Sequence, residues 1–296
     1  MKVKPVYPDM FSRIYPMLRM FEQNTPELST KRWLRLFDYG WECDSMVRGF
    51  FLEDKGNVVG FRAYIQHVRN IDGCVVRMIS ASSWVVLPDY RGRVDECTGE
   101  PVSNLLLVAP ESWFRDESHC LIGVTVRPQL INRLSDRGYE VLETEAVMTR
   151  VTPWAETGGW RMIHRPSQVR ALLDEGQRQL FDDHRNLPCL QLVATRGDER
   201  CYIVICLRPS GRFTRLARVV HLSHGGRFES ALGAIGWHLL KRHRVRWIEW
   251  DSRWLAGRMP PGAVRRPLPS PRMFKSDRLR PEQIDNLYSE IVLLEL

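Results

Sequence analysis

Apolar and polar positions divide the chain into two similar series of elements. Val58–Gln66 is an apolar, β-branched run and Cys74–Leu87 a longer one. Between them, Ile71-Asp72-Gly73 predicts a hairpin, because Asp-Gly accepts the left-handed turn that matches strand twist. Pro101–Trp113 has helical spacing, and Cys120–Val126 predicts another strand. Pro128–Arg137 predicts a short helix with proline at its start, Gly138 a stop, and Tyr139–Met148 a strand.

The second series follows a join near residues 149–165, punctuated by Pro153, Gly158 and Gly159. Ser167–His184 predicts one amphipathic helix, with Ser167 as N-cap. Leu190–Thr195, Cys201–Leu207 and Phe213–Leu222 predict three strands, Phe228–Lys241 a helix, and Arg246–Asp251 a strand. Gly257–Ser276 holds five prolines and two glycines and predicts an irregular crossing segment or lid carrying Arg265 and Arg266. A final helix is expected over Pro281–Leu287.

The junction after the Cys74–Leu87 strand carries the most chemistry. Ser82-Ser83-Trp84-Val85-Val86-Leu87 runs into Pro88-Asp89-Tyr90-Arg91-Gly92-Arg93, shortly before the Pro101 helix. A strand that delivers a Gly- and Arg-bearing loop to a helix start suits an anion, since free N–H groups and the helix dipole both favour negative charge there. Leu222-Ser223-His224-Gly225-Gly226-Arg227 holds the same place in the second series and competes on the same physics.

These residues resemble the GNAT acyltransferase superfamily over roughly residues 1–150. The resemblance rests on Val86, Pro88, Tyr90, Arg91 and Gly92, the helix after them, and Arg137-Gly138-Tyr139-Glu140-Val141. It implies an α/β fold of two tandem GNAT-like mixed-sheet halves: residues 1–152 with the acyl-CoA site, and 160–296 as an acceptor-binding or degenerate half. It implies that the backbone of Val85, Val86 and Leu87 meets the pantetheine, and that Arg91, Gly92, Arg93 and Val94 wrap the pyrophosphate. The sequence departs from the family at two points. The later loop glycines are replaced by Val94, Asp95 and Glu96, and Leu134 stands where many members carry a tyrosine acid. Asp95, Glu96 and Glu100 oppose a pyrophosphate unless they turn away. The paired halves also resemble the cellulose- and capsule-locus acetyltransferase-like proteins and the Fem-type aminoacyltransferases.

The chain has 296 residues, enough for one large or two ordinary domains, and ordinary apolar content. No run approaches the ~20 apolar residues of a membrane span, and no signal peptide is visible, so a soluble cytoplasmic protein is expected. The seven scattered cysteines suit a reducing compartment, and no ligand spacing suggests a metal. The net charge is +8, densest at Lys241-Arg242-His243-Arg244-Val245-Arg246, which reads as a helix end or as an anion-binding patch.

Acyl transfer needs a base for the acceptor and a stabilised oxyanion. His67, at the end of the Val58–Gln66 strand, and Ser82, on the central strand, are the candidate catalytic pair. Asp182-Asp183-His184, His221 and Asp251 are the alternatives, and Trp247, Trp250 and Trp254 could line an acceptor groove. The expected activity is transfer of an acyl group from acetyl-CoA or another acyl-CoA to an amine or hydroxyl of a small molecule or sugar precursor. A Fem-type transferase using charged tRNA and a non-catalytic binding module remain open. Nucleic acid is expected as a partner only under the first of these.

Overall fold

The computed structural model describes residues 1–22, 28–41, 43, 45–113, 119–153 and 156–296. The first half contributes β1 (Lys2–Val6), α1 (Phe11–Glu22), α2 (Thr30–Leu34), β2 (Gly49–Asp54), β3 (Asn57–Ile71) and β4 (Cys74–Val86). It continues through α3 (Val102–Trp113), β5 (His119–Gly123), α4 (Ile131–Ser135) and β6 (Glu140–Arg150). The second half contributes β7 (Arg161–Ile163), α5 (Pro166–Ala171), α6 (Glu175–His184), β8 (Cys189–Arg196), β9 (Glu199–Pro209) and β10 (Arg215–Leu222). It ends with α7 (Gly225–His243), β11 (Val245–Asp251), β12 (Ala263–Lys275) and α8 (Glu290–Leu293).

Among the described residues all twelve strands join one sheet, in the order β1-β2-β3-β4-β5-β12-β6-β11-β10-β9-β8-β7. The order is the same read from either end. β1 to β4 and β7 to β10 are antiparallel ladders, and each hands over to a parallel neighbour, β4 to β5 and β10 to β11. The halves then exchange their closing strands. β12 lies between β5 and β6, and β6 between β12 and β11, all antiparallel. The two halves are distinct in the chain and continuous in the sheet.

Both faces are covered, which is why β3 is buried along most of its length instead of alternating. α3 packs on one face over Phe50, Tyr64 and Ile79, and α7 packs on the same face over Ile203, Ile205 and Val219. The opposite face carries α1, α5, α6 and the C-terminal segment in one core spanning both halves. Ile284, Leu287, Ile291, Val292 and Leu293 are at most 2% exposed. Each such side chain contributes roughly 1.5–3 kcal/mol by leaving water.

The β3–β4 hairpin turns on Asp72 (φ +52°) and Gly73 (φ +83°), as Asp-Gly predicts. Three expectations need correction. Ser167–His184 is two helices, because Asp174 caps a new start by accepting from the Gln177 N–H at 2.8 Å; Pro166 opens the first, so Ser167 is not its cap. The proline-rich segment is not a lid but the long strand β12. Its ladder with β6 is interrupted between Pro267 and Arg272, so Pro269 and Pro271 fall where no N–H is required. Arg265 pairs with Glu145 at 2.9 Å and Arg266 meets Met148 Sδ at 3.3 Å, so both are strand residues. The terminal helix covers Glu290–Leu293, and Pro281–Gln283 form only a 3₁₀ turn.

Candidate active site where two strands part

β4 pairs with β5 only over Arg77–Ala81, so a gap opens along β4 from Ser82 onward. There β4 also slips its register against β3, and Ser83 takes φ +49°. A non-glycine residue in the left-handed region is uncommon, and such residues gather where a backbone group must be aimed.

Glu290 fills the head of this gap. Its carboxylate accepts from Thr125 Oγ1, just beyond β5, and is bonded by the Ser82 hydroxyl and the Ser83 N–H. Ser82 Oγ lies 3.0 Å from Ser83 Oγ. Glu290 is 3% exposed. Burial pushes its carboxyl above the ordinary value, and the Ser82 and Thr125 bonds and the Arg62 charge only partly offset this. Arg62, itself buried, lies 5.2 Å from the ring centroids of both Tyr64 and Trp84. The Trp84 Nε1–H is buried without a partner among the described residues. A buried donor left in that state is an exception that a bound acceptor would remove.

The loop after β4 is stitched down. Arg91 Nε donates to the Val86 carbonyl at 2.9 Å, Arg93 lies 4.6 Å over the Tyr90 ring, and Tyr90 Oη donates to Asp54 at 2.9 Å. Arg91, Gly92, Arg93 and Val94 are all exposed, on the loop that follows β4. Asp95 is turned inward, accepting from the Met1 amine at 2.8 Å and from Thr98, so its charge is neutralised locally. Glu100 takes the Asn104 amide at 3.1 Å. Two of the backbone groups expected to meet a pantetheine are engaged: the Val86 carbonyl by Arg91, and the Leu87 N–H by the Val59 carbonyl at 2.9 Å. Val85 pairs with Phe61 across the β3 ladder.

The structure does not bring His67 and Ser82 together. Ser82 lies opposite Ala63, whereas His67 lies opposite Met78, four positions along β3 and outside the gap. His67 is 3% exposed, neither ring nitrogen has a partner among the described residues, and burial holds its basicity well below the ordinary value.

The second half repeats the parting. β10 pairs with β11 only as far as Arg218–Glu249, with a register slip after Val219. The C-terminal segment fills this gap too: the Asn286 N–H donates to the Val220 carbonyl at 2.9 Å, and the Asn286 amide donates to Asp251 at 3.1 Å. Asp251 is surrounded by Arg253, Arg272 and Asn286. His221 Nδ1 lies 2.9 Å from Asp285, which also receives Arg69 at 2.7 Å. The Asp182-Asp183-His184 run is split three ways. Asp182 pairs with Arg170, Asp183 accepts from Tyr288, and His184 contacts the carbonyls of Leu180 and Leu287. Trp250 is core, 1% exposed, and Trp254 packs against the same core, so these two are packing residues. The Gly-rich loop before α7 is explained by packing. A Cβ on Gly225 would stand 2.2 Å from the Trp254 carbonyl oxygen, and His224 Nδ1 caps the helix by accepting from the Arg227 N–H at 3.3 Å.

No family model and no curated protein matches the sequence. Solved structures do. A probable N-acyltransferase from Enterococcus faecalis is 13% identical, covering 95% of this chain and 73% of that one, with a TM-score of 0.59. A GCN5-related N-acetyltransferase from Anabaena variabilis is 12% identical over 92% of this chain and 72% of its own, with a TM-score of 0.57. A putative acetyltransferase from Pyrococcus horikoshii is 11% identical over 97% and 92%, with a TM-score of 0.53. The fold is that of the GCN5-related N-acetyltransferases. In this GNAT fold each half of the chain supplies one parted pair of strands.

Sequence reasoning missed Glu290 and Arg62. The signal was present in each case as a charge set in an apolar context: Glu290 directly before Ile291-Val292-Leu293-Leu294, and Arg62 inside Val58–Gln66. A charge almost never stays buried unless it is paired or used. Among the described residues no helix is long and apolar enough to cross a membrane, and no group of three or more His, Cys, Asp or Glu could hold a metal.

Proposed function

We propose that the protein transfers an acyl group from acyl-CoA to an amine or hydroxyl of a small molecule or sugar precursor, in the cytoplasm, at the β4–β5 gap. One observation carries this reading: a buried carboxyl with raised affinity for protons, Glu290, is held by Ser82, Ser83 and Thr125 where two parallel strands part. The exposed Arg91 and Arg93 on the loop that follows β4 suit the phosphates of the donor. The fold's solved neighbours, described as N-acetyl- and N-acyltransferases, support the reaction class.

In this reading the acceptor's nitrogen or oxygen attacks the thioester carbonyl and gives its proton to Glu290. The C–S bond breaks and the CoA thiolate leaves, to be protonated in turn. A carboxyl raised towards neutrality is better matched to this task than an ordinary one. Ser82 positions the carboxylate, while Arg62 supplies positive charge and the Trp84 N–H a hydrogen-bond donor for the developing oxyanion.

The test is calorimetric titration with CoA, acetyl-CoA and longer acyl-CoAs. Replacing Arg91 and Arg93 together with alanine should weaken binding by roughly 1–3 kcal/mol, the scale of lost charge-assisted hydrogen bonds. Unchanged affinity in a folded double variant would move the donor site to His224–Arg227. A second reading, a non-catalytic binding module, is favoured by the C-terminal segment's occupation of both gaps. Failure of every CoA species to bind would select it.

A further inference from the structure

A cavity of about 540 Å³ lies at the β7–β8 edge of the sheet, two strands away from β10, and none of the residues lining it belongs to either parted pair of strands. It exists because β7 is short. β7 pairs with β8 only over Val193–Thr195, and the Cys189–Leu192 part of β8 is left without a neighbour on that side. The chain turns away there at His164 and Pro166. The C-terminal ends of α6 and α7 close the space from two sides, bringing Arg185 and the Arg242-His243 pair to its rim. Phe181, Leu190 and Leu192 supply an apolar wall. Its size is that of a small-molecule site.

The charge at this cavity is of one sign. No carboxylate lines it. Among the described residues neither Arg185 nor Arg242 makes an ion pair or a side-chain hydrogen bond, and the nearby Asp182 is taken by Arg170 at 2.8 Å. His164 and His238 have ring centroids 5.2 Å apart, and His238 and His243 lie 6.5 Å apart. The His238 Nε2 atom is buried without a partner among the described residues. Unpaired cations beside clustered, mutually tilted imidazoles and an apolar wall leave an arrangement that an anion would complete.

We propose that this cavity binds a small organic anion, its phosphate or carboxylate head between Arg185 and Arg242 and its apolar body against Phe181, Leu190 and Leu192. Binding should take up protons. Burial first, then neighbouring positive charge, holds all three histidines below their ordinary value, His238 at about 4; the leading charge is Arg242 for His164, His164 for His238 and Arg215 for His243. Arg242 also acts on His238 and His243, Arg165 at the α5 start acts on His164, and the imidazoles of His164 and His243 act on their neighbours, all in the same direction. A bound anion reverses that direction, and affinity should rise as pH falls from about 7.5 to 5.5.

Calorimetric titration of the whole chain with hexyl phosphate, inorganic phosphate and hexanol tests this. Hexyl phosphate should bind saturably, inorganic phosphate more weakly, and hexanol not at all. Titrations in buffers of different ionisation enthalpy should show proton uptake near neutral pH. Arg185→Gln with Arg242→Gln should cut hexyl phosphate affinity about ten-fold or more, each lost charge-assisted bond being of that order. Equal affinity in that folded double variant, equal binding of hexanol, or absence of proton uptake would overturn the proposal. Co-sedimentation with phosphatidylcholine vesicles containing phosphatidic acid, abolished by the same double variant, would also overturn it in favour of a lipid surface.

Discussion

Tyr288 lies flat on His67, with ring centroids 3.7 Å apart and planes within 10° of parallel. The C-terminal segment thereby seals the one β3 histidine that the sequence offered as a base. His67→Phe keeps the stack and removes two unpartnered nitrogens. It should leave turnover within a few-fold and stability unchanged or raised by up to about 1 kcal/mol at neutral pH. The pH dependence has a definite sign. The folded value lies well below 6.5, so the unfolded chain takes the proton first, and this histidine costs stability as pH falls below about 6.5. Urea melts at pH 7.5 and 5.5 should show a smaller acid loss in the variant. A collapse of turnover with the fold intact would return the base role to His67.

Glu290→Gln preserves shape and most hydrogen bonds while removing the basic carboxylate. Turnover should fall by roughly 10²–10⁴-fold with donor affinity unchanged. The rate of the parent should rise with pH through a value above the ordinary carboxyl, since the ionised form accepts the proton. Stability moves the other way. Because the folded value is raised, stability is greatest below the unfolded value and declines as pH rises towards the folded one. The glutamine variant should therefore be as stable as the parent at pH 7, or more so. Turnover within a few-fold of the parent would remove Glu290 from the chemistry.

Asp251 is a structural charge. It is 1% exposed between Arg253 and Arg272. Burial alone would raise its carboxyl, but the two guanidiniums and the Asn286 amide outweigh it and hold it below the ordinary value. Asp251→Ala would strand two buried cations and should cost about 3–5 kcal/mol. In the parent this stabilisation is present above the unfolded value near 3.8 and lost as pH falls through the folded one. Chemical denaturation of the parent and variant from pH 7 to 3 reads both effects.

Gly225 and Gly226 separate packing from ligand binding. Gly225→Ala forces a Cβ to 2.2 Å from a backbone oxygen and should cost roughly 1–3 kcal/mol through local displacement. Gly226→Ala meets nothing nearer than 3.6 Å and should be near neutral. Equal effects of the two on thermal melting would contradict the packing account of this loop.

What the sequence determined by itself is local. The β3–β4 hairpin, most strand cores and the two β-strand-to-helix junctions follow from neighbouring residues: Asp-Gly for the turn, alternation for strands, proline and glycine for the ends. The paired halves were legible because their series of elements repeats. Where local signals conflicted, longer contacts decided. Prolines argued against β12, yet its place between β5 and β6 buries Met273 and Phe274 and tolerates prolines where the ladder breaks. Only the tertiary structure could show that the halves exchange closing strands, since nothing in β6 or β12 names its neighbour. The same holds for the site. Glu290 meets Ser82 and Thr125, and Tyr288 covers His67, because the C-terminal segment packs its apolar residues across the shared face of both halves. Burial of that whole face set these positions, and no short-range pattern carries that information.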